Sequence, residues 1–193
     1  MPRRILIIEG HPDPSGTRFG NALAAAYAAA AEDAGHEVAR IVVARLDFPL
    51  LRTQKEFDAG EPPEPIRAAQ ESIRWADHLV LFYPLWHGDV PALLKGFLEQ
   101  VFRPGFAAET QRGKLPRKGL TGKSARIVVT MGMPAFVYRW YFGAHGLKSL
   151  ERNILRFSGV RPVRATLIGL VEGSPARRQH WLEQMRRLGR SAR

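Results

Sequence analysis

The chain alternates short, continuous apolar runs with longer segments of helical periodicity along its whole length. The apolar runs predict five strands, at 5–8, 38–43, 79–83, 125–130 and 163–170. These runs are too apolar for a half-exposed strand, so both faces of the sheet are expected to lie under helices. The pattern predicts a three-layer α/β/α sandwich with a five-stranded parallel sheet, and residues 1–193 as a single domain.

Helical periodicity predicts the connections between these strands at 19–34, 66–75, 90–102 and 147–157, with a last helix from 175 onward. The third of these has the clearest pattern. One face of it carries the apolar residues Val90, Leu93, Leu94, Phe97, Leu98, Val101 and Phe102. Asp89 is the predicted N-cap, and Pro91 is predicted in the first turn, where its missing N–H costs nothing. The segments 45–65, 103–123 and 131–146 are predicted as loops.

Composition narrows the class of protein. The chain has no cysteine, which excludes disulfides, thiolate metal sites and a cysteine nucleophile. No apolar run is long enough to span a bilayer, and we expect a cytoplasmic protein with no integral membrane segment. The net charge is +11; the arginines and lysines are scattered along the chain and are densest in the basic tail 177–193. Because that tail also carries an apolar stripe of helical spacing, it predicts a solvated helix face rather than a nucleic-acid surface.

Open parallel sheets bind ligands at the carboxyl ends of their strands, next to the point where the strand order reverses. The polar loop that follows the first strand leads directly into a helix, an arrangement that attracts phosphate. Its candidate binding residues are His11, Ser15, Thr17, Arg18 and Phe19. An ordinary turn with Ser15 or Thr17 as a helix cap is an equally good interpretation of this loop alone. Neither a G-x-G-x-x-G fingerprint nor a Walker loop is present.

Two further turns at the same edge suit a planar ligand. After the third strand come Pro84, Leu85, Trp86 and His87, whose large flat side chains are poorly placed for the core. After the fourth strand, Thr130 and Gly132 begin a turn with accessible N–H groups. Beyond that turn lie a tyrosine and a histidine, Tyr138 and His145.

The segment 83–97, reading YPLWHGDVPALLKGF, resembles the signature of the NAD(P)H:quinone oxidoreductases of the DT-diaphorase type. The resemblance extends through His11, Phe19, Thr130 and the segments 99–102, 105–107, 143–145 and 153–159, and so covers nearly the whole chain. It implies a flavodoxin-like fold and a flavin-dependent enzyme. Such an enzyme passes a hydride from NAD(P)H through flavin N5 to a quinone or a similar electrophilic acceptor.

The resemblance also implies roles for the candidate residues. The loop 11–19 would hold the flavin phosphate, and residues 84–87 would line the isoalloxazine ring. Thr130 and Gly132 would bound the other edge of the ring. Tyr138 and His145 would be the catalytic pair that stabilises charge on the reduced ring. The family implies a homodimer with a shared active site, and FAD or FMN as cofactor, with FAD preferred.

The sequence departs from the family at several points and leaves alternatives open. An insertion of Pro12, Asp13 and Pro14 lengthens the phosphate loop, so either Ser15 or Thr17 can be its phosphate ligand. The main alternative function is a flavin-binding ancillary subunit of a potassium-efflux transport system, which resembles this chain in the same motifs. A one-electron flavodoxin carrier and a basic nucleic-acid binder rank lower.

Overall fold

The computed structural model describes residues 1–109 and 117–193. Five parallel strands form the main sheet: β1 (Arg4–Glu9), β2 (Glu37–Val42), β3 (His78–Pro84), β6 (Ser124–Thr130) and β7 (Val163–Ile168). A two-stranded ribbon, β4 (Ala108–Glu109) and β5 (Arg117–Lys118), lies outside it and pairs antiparallel. Both the predicted parallel sheet and its count of five strands are confirmed.

The strand order in the main sheet is β2-β1-β3-β6-β7. All pairs are parallel, and β1 lies between β2 and β3 in a register that pairs Ile8 with both Ile41 and Leu81. From β1 the chain moves outward first to β2 and then, on the other side, to β3. The strand order therefore reverses between β1 and β3, and the crevice for a ligand lies at their carboxyl ends.

Helices cover both faces of the sheet. They are α1 (Phe19–Glu32), α2 (Gln54–Ala59), α3 (Glu64–Trp75), α4 (Ala92–Val101), α5 (His145–Ser149) and α6 (Pro175–Arg190). On one face α1 and α6 pack on the buried side chains of Ile5, Ile7, Val80 and Phe82. On the other face α3 and α4 pack on a second core that includes Leu6, Leu79, Leu81 and Ile127. Successive side chains of a strand point alternately into these two cores, which explains why the strands are apolar throughout.

The basic tail folds as predicted, as an amphipathic helix. Met185 of α6 is fully buried against α1, and Trp181, Leu182 and Leu188 pack around it, while most of the arginines of α6 stay exposed. Within the described part of the chain, no helix is both long enough and apolar enough to cross a membrane.

Three local predictions need correction. Segment 45–65 contains α2, capped by Thr53, whose Oγ1 accepts a hydrogen bond from Glu56 N at 3.2 Å. Segment 131–146 contains a π-helical turn, Val137–Tyr141, and the predicted helix 147–157 begins earlier, as α5, and continues as a π-helical segment, Leu150–Arg156. Short or π-helical turns leave no 3.6-residue period, so the periodicity missed them. The predicted loop 103–123 lies partly outside the described residues.

The predicted cap of α4 was also wrong. Helix α4 begins at Ala92, and Pro91 is its N-cap residue. Asp89 is instead drawn into a tight turn with Trp86, and its Oδ1 accepts a hydrogen bond from Val90 N at 2.7 Å. The turn is favoured over a helix cap at Asp89 because Trp86 and Asp89 exchange two main-chain hydrogen bonds.

Candidate functional site

The crevice at the β1–β3 crossover begins at Gly10. Its N–H donates to Phe82 O at 2.7 Å, which continues the ladder one residue beyond β1. A Cβ at this position would lie 2.5 Å from Leu94 Cδ2 on α4. The sheet edge and α4 are therefore closely packed at Gly10, where the loop 11–18 begins.

The loop 11–18 is folded by its own polar groups. Asp13 Oδ1 accepts a hydrogen bond from Ser15 N at 2.9 Å, and its Oδ2 pairs with Arg18 Nη2 at 2.7 Å. The Ser15 N–H and hydroxyl, followed by Arg18, lower the pKa of Asp13 to about 2. Ser15 Oγ and Thr17 Oγ1 are 2.9 Å apart, and both residues are exposed. The two alternative phosphate ligands thus stand side by side at the start of α1.

Unpaired main-chain donors surround these hydroxyls. Within the described residues, the N–H groups of Gly16, Phe19 and Gly20 have no main-chain or side-chain acceptor. A Cβ on Gly20 would meet nothing within 4 Å, so the first turn of α1 is open to solvent. Arg45 approaches from the end of β2, with its Nη2 3.4 Å from Pro14 O. Free N–H groups, hydroxyls and guanidinium groups are the donor set that a phosphate needs.

A buried ionic network that the sequence analysis missed holds this loop to the sheet. Glu9, only 3% exposed, pairs its Oε1 with Arg40 Nη2 at 2.5 Å. Its Oε2 accepts a hydrogen bond from Asn21 Nδ2 at 2.7 Å, and Asn21 Oδ1 accepts one from Arg18 N at 3.2 Å. A charged residue at the end of an apolar run was the available signal, because a carboxylate there must find partners once the strand is buried.

The second loop places Trp86 and His87 at the same edge. Leu85 N donates to Thr130 O at 2.8 Å, which ties the ends of β3 and β6 together. Trp86 and Asp89 exchange both main-chain hydrogen bonds at 3.0 Å across a two-residue turn. The central residues of that turn have positive φ, 49° at His87 and 83° at Gly88. This is the pattern of a type I′ turn, with Gly at its more demanding position.

The turn brings the first and second loops into contact. The His11 and Trp86 rings meet edge to face with centroids 6.1 Å apart, and His11 Nδ1 accepts a hydrogen bond from Asp13 N at 3.0 Å. Burial, with a contribution from the Arg18 charge, lowers the pKa of His11 despite the opposing effect of Asp13. His11 is therefore a neutral acceptor that shapes the loop, and Trp86, 49% exposed, presents a large apolar surface.

The third loop follows β6. Thr130 is buried, and its Oγ1 donates to Tyr83 O at 3.4 Å, so its hydroxyl faces the sheet. Gly132 is exposed, and a Cβ there would meet nothing within 4 Å. Within the described residues, the N–H groups of Gly132 and Met133, like those of His87 and Gly88, donate to no acceptor. The two turns thus present free donors around an open space.

Tyr138 lies under this edge rather than on it. It is 1% exposed, its O–H donates to Gly88 O at 3.3 Å, and it accepts a hydrogen bond from Leu147 N at 3.1 Å. Burial, followed by the charge of Asp89, raises the pKa of the phenol, although the Leu147 N–H opposes this. The hydroxyl is therefore protonated at neutral pH and bridges the type I′ turn to α5.

His145 begins α5 and is exposed. The next residue, Gly146, packs directly on the turn: a Cβ there would lie 2.5 Å from Gly88 O. Helix α5 and the Trp86–Asp89 turn are thus in close contact at Gly146. The preceding residue, Ala144, has φ 50°, which sets the sharp entry into the helix.

These features fit a flavin. An isoalloxazine ring needs apolar cover for its faces and N–H donors for its nitrogen and carbonyl rim, and its chain carries a phosphate. Trp86 and Leu85 offer the cover, the two turns at 87–88 and 132–133 offer donors, and the loop 11–20 offers the phosphate cradle. Gly88 and Gly132 leave the space that a side chain would fill.

Comparison with known proteins then decides the family. A model of the flavodoxin-like fold matches residues 3–189 of the chain. The chain belongs to the flavodoxin-like family. This assignment confirms the predicted fold class, and the strand order β2-β1-β3-β6-β7 agrees with it.

Relatives within this flavodoxin-like family include NAD(P)H oxidoreductases. An uncharacterized NAD(P)H oxidoreductase of Haemophilus influenzae is 30% identical over 168 residues, which cover 85% of this chain and 82% of that protein. NAD(P)H dehydrogenase [quinone] 1 of Rattus norvegicus is 26% identical, with 90% of this chain and 71% of the rat enzyme covered. A ribosyldihydronicotinamide dehydrogenase-like protein of Penicillium crustosum is 26% identical, and only 64% of its length is covered.

Among solved structures, an NAD(P)H:quinone oxidoreductase from Methanothermobacter marburgensis superposes with a TM-score of 0.84 at 26% identity, and each chain is fully covered. The resemblance to NAD(P)H:quinone oxidoreductases is thus confirmed, and these relatives support the predicted class of flavin-dependent oxidoreductase. The alternative, an ancillary subunit of a potassium-efflux system, finds no support in the relatives named here.

Proposed function

We propose that this flavodoxin-like protein is a flavin-dependent NAD(P)H oxidoreductase that reduces a quinone or a similar electrophile by two electrons. The observation that carries the proposal is the open edge of the sheet, where free N–H donors of two turns and one helix start surround exposed Trp86. The bound flavin would supply the chemistry, by taking a hydride at N5 from the nicotinamide and returning it to the acceptor. The protein supplies position, shielding and charge.

The phosphate end lies at the start of α1. His11 shapes the loop, Ser15 and Thr17 offer hydroxyls, Arg18 offers charge, and Phe19 offers a free N–H. Because the Ser15 hydroxyl, like the Ser15 N–H, interacts with Asp13, the Thr17 hydroxyl is the better placed ligand. We propose FAD rather than FMN as the cofactor, because the resemblance favours FAD. Identification of the flavin released on denaturation distinguishes the two.

The ring end lies between the turns after β3 and β6. Pro84 ends β3, Leu85 follows it, and Trp86 and His87 form the turn beyond; these residues would line the ring. Thr130 fixes the spacing of the two strands through its main-chain bond to Leu85 N, and Gly132 opens the far side. With a flavin bound, Trp86 would shield one side of the ring, and the opposite side would stay open for nicotinamide and acceptor to bind in turn.

Hydride transfer leaves negative charge on the pyrimidine side of the ring, which donors fixed nearby stabilise. Tyr138 and His145 are the proposed donors. To donate to the ring, the Tyr138 O–H would have to turn away from Gly88 O, to which it now donates at 3.3 Å. His145 is exposed and free to donate.

We also propose a homodimer formed through an aromatic face. This face comprises Phe136, Trp140, Tyr141 and Phe142, which are 58%, 77%, 83% and 50% exposed. It borders a groove of about 700 Å³ whose lining includes Leu147 and Leu167. So much exposed aromatic surface is rare on a monomer and common at interfaces. A second copy on this face would lie next to α5 and share the ring site.

The test starts with the purified chain and added flavin. The protein is expected to hold one flavin per chain, and the flavin released on denaturation identifies FAD or FMN. Stopped-flow reduction by NADH and by NADPH, followed by reoxidation with quinones, azo dyes and nitroaromatics, then defines donor and acceptor. A chain that takes up no flavin, or a flavin that neither nucleotide reduces, would overturn the proposal.

A variant pair tests where the ring binds. Trp86→Ala removes the exposed indole of the site and is expected to weaken flavin binding by about tenfold, as the loss of a stacking aromatic implies. Trp75→Phe, at the end of α3 on the opposite edge of the sheet, is the matched control and should leave flavin affinity unchanged. Equal affinities for both variants would contradict the assigned ring site.

Trp140→Glu tests the dimer. Sedimentation should show a dimer for the wild type and a monomer for the variant. A wild type that sediments as a monomer at all concentrations would refute the interface. We further propose a cytoplasmic location with residues 1–193 acting as one domain, in keeping with the absence of cysteine. Cell fractionation tests that location.

A further inference from the structure

A second cavity lies at the amino edge of the sheet, on the side opposite the flavin crevice. It has a volume of about 310 Å³, and its lining includes Arg3, His78, Ser124, Arg161 and Arg164. His78 begins β3, Ser124 begins β6, and Arg161 and Arg164 flank the start of β7. The cavity is therefore formed by the amino ends of neighbouring strands, and no step of the proposed reaction uses it.

The cavity is surrounded by positive charge. Arg164 pairs in register with Arg126 on the adjacent strand, so two guanidinium-bearing side chains leave the same face of the sheet side by side. Like charges directly across a ladder are destabilising. None of the salt bridges among the described residues involves Arg3, Arg126, Arg161 or Arg164.

Two of these four arginines already have a structural role. Arg3 Nη1 donates to Ala192 O at 3.0 Å, and Arg126 Nε donates to Arg193 O at 2.6 Å. Both therefore hold the segment that follows α6, where cations are favourable. Arg161 and Arg164 are exposed, and their side chains make no hydrogen bond within the described residues.

A buried histidine lines the same cavity with an unused ring nitrogen. His78 is 2% exposed, its Nδ1 is 2.8 Å from Ser124 Oγ, and Ser124 Oγ also accepts a hydrogen bond from Arg3 Nη2 at 3.1 Å. Among the residues that the structure describes, His78 Nε2 has no hydrogen-bond partner. Burial, followed by the charges of Arg3 and Arg126, lowers the pKa of His78 to about 3, so the ring is neutral. The Ser124 hydroxyl is thus shared between Arg3 and the His78 ring, and Nε2 is the polar atom of this ring that a bound group can reach.

We propose that this cavity binds a tetrahedral oxyanion, either inorganic phosphate or the phosphate group of a small phosphomonoester, through Arg161, Arg164 and Arg3. Three guanidinium groups line one cavity and can each pair with two oxygens, which favours phosphate, with its four oxygens, over a single carboxylate, which has only two. The volume holds a phosphate with a small organic group but not a polynucleotide. The bound anion relieves the repulsion between Arg126 and Arg164 and links β7 to the end of α6.

The experiment measures phosphate binding on protein saturated with flavin, so that the loop 11–18 does not contribute. Titration calorimetry and thermal unfolding are run with sodium phosphate and with glycerol phosphate, against sodium chloride of equal ionic strength. Arg161→Gln and Arg164→Gln are each expected to weaken phosphate binding by about tenfold, the loss of one charge-assisted hydrogen bond. Arg178→Gln, on the exposed face of α6, removes the same charge and should bind phosphate like the wild type.

Phosphate binding that depends on Arg161 and Arg164 but not on Arg178 supports the site, and the glycerol phosphate arm decides whether a phosphomonoester fits. No binding beyond that of chloride would overturn the proposal, and so would equal binding by all three variants. Arg18→Gln, measured without flavin, separates the two sites. If that change alone abolished phosphate binding, the anion would bind the loop 11–18 and the second site would be refuted, whereas the proposed function would stand.

Discussion

Gly146→Ala tests the contact on which the ring site depends. Gly146 is where α5 touches the Trp86–Asp89 turn, and an added Cβ would lie 2.5 Å from Gly88 O and 2.7 Å from Asp89 Cα. Both neighbours are main-chain atoms, which cannot rotate away as a flexible side chain can. The turn or the helix must therefore shift by several tenths of an ångström.

The size of the effect follows from two opposing contributions. Overpacking of a tight contact costs about 1–3 kcal/mol. Replacing a helical Gly by Ala returns at most about 1 kcal/mol, and less in a helix as short as α5. The expected net loss is about 1–2 kcal/mol of unfolding free energy, which lowers Tm by roughly 2–8 °C for a chain of this size.

The same shift should weaken flavin binding, because the displaced turn carries Trp86 and His87. Urea unfolding measures stability, and quenching of flavin fluorescence measures affinity, which is expected to fall about tenfold for a loss of about 1.4 kcal/mol. Gly20→Ala is the control for stability only, because the Gly20 N–H belongs to the proposed phosphate cradle; among the described residues a Cβ there meets nothing within 4 Å, so stability should be unchanged or higher. A Gly146→Ala variant with wild-type stability and flavin affinity would refute the assigned contact.

Three other changes are informative. Tyr138→Phe leaves the Leu147 N–H without an acceptor and should lower the free energy of unfolding by about 1–3 kcal/mol. It should also slow flavin reduction by NAD(P)H, and an unchanged reduction rate would rule out Tyr138 as a donor. Asp13→Asn should lower stability at neutral pH. The pKa of Asp13 is depressed to about 2, so its carboxylate stabilises the folded chain fully above about pH 4. This stabilisation disappears as the pH falls towards 2. A difference in urea unfolding between Asp13→Asn and the wild type that does not change with pH would contradict this. Glu9→Gln breaks the pair with Arg40 and should cost about 1–3 kcal/mol, while unfolding at the wild-type urea midpoint would show the network to be dispensable.

Much of the architecture could be predicted because it depends on local periodicity. The strand at 79–83 and the helix at 90–102 are long, regular patterns, and the structure places β3 and α4 there within two residues at each end. Segments with short or irregular turns were not predictable in this way. Helix α2 and the π-helical turn Val137–Tyr141 are stabilised by caps and tertiary packing, and the apolar periodicity of the sequence does not predict such contacts.

The candidate site was likewise predictable only where its residues form a local motif. The motif around Trp86 indicates a ring site because large flat residues at a sheet edge have few structural uses. The Glu9–Arg40–Asn21 network and the Tyr138–Gly88 bond join residues that lie 31 and 50 positions apart. No spacing rule in a single sequence connects such residues, because the sheet alone brings them together.

The sequence by itself determined the layers and the edge at which we propose that a ligand binds, since buried parallel strands and their carboxyl ends follow from the apolar pattern. Only the tertiary structure decided how that edge is built. It placed Gly146 against Gly88, turned the Tyr138 hydroxyl beneath the turn, and gathered arginines from separate segments around a second cavity. The physical reason is that such contacts depend on the packing of distant segments, whereas helices and strands are specified by neighbours along the chain.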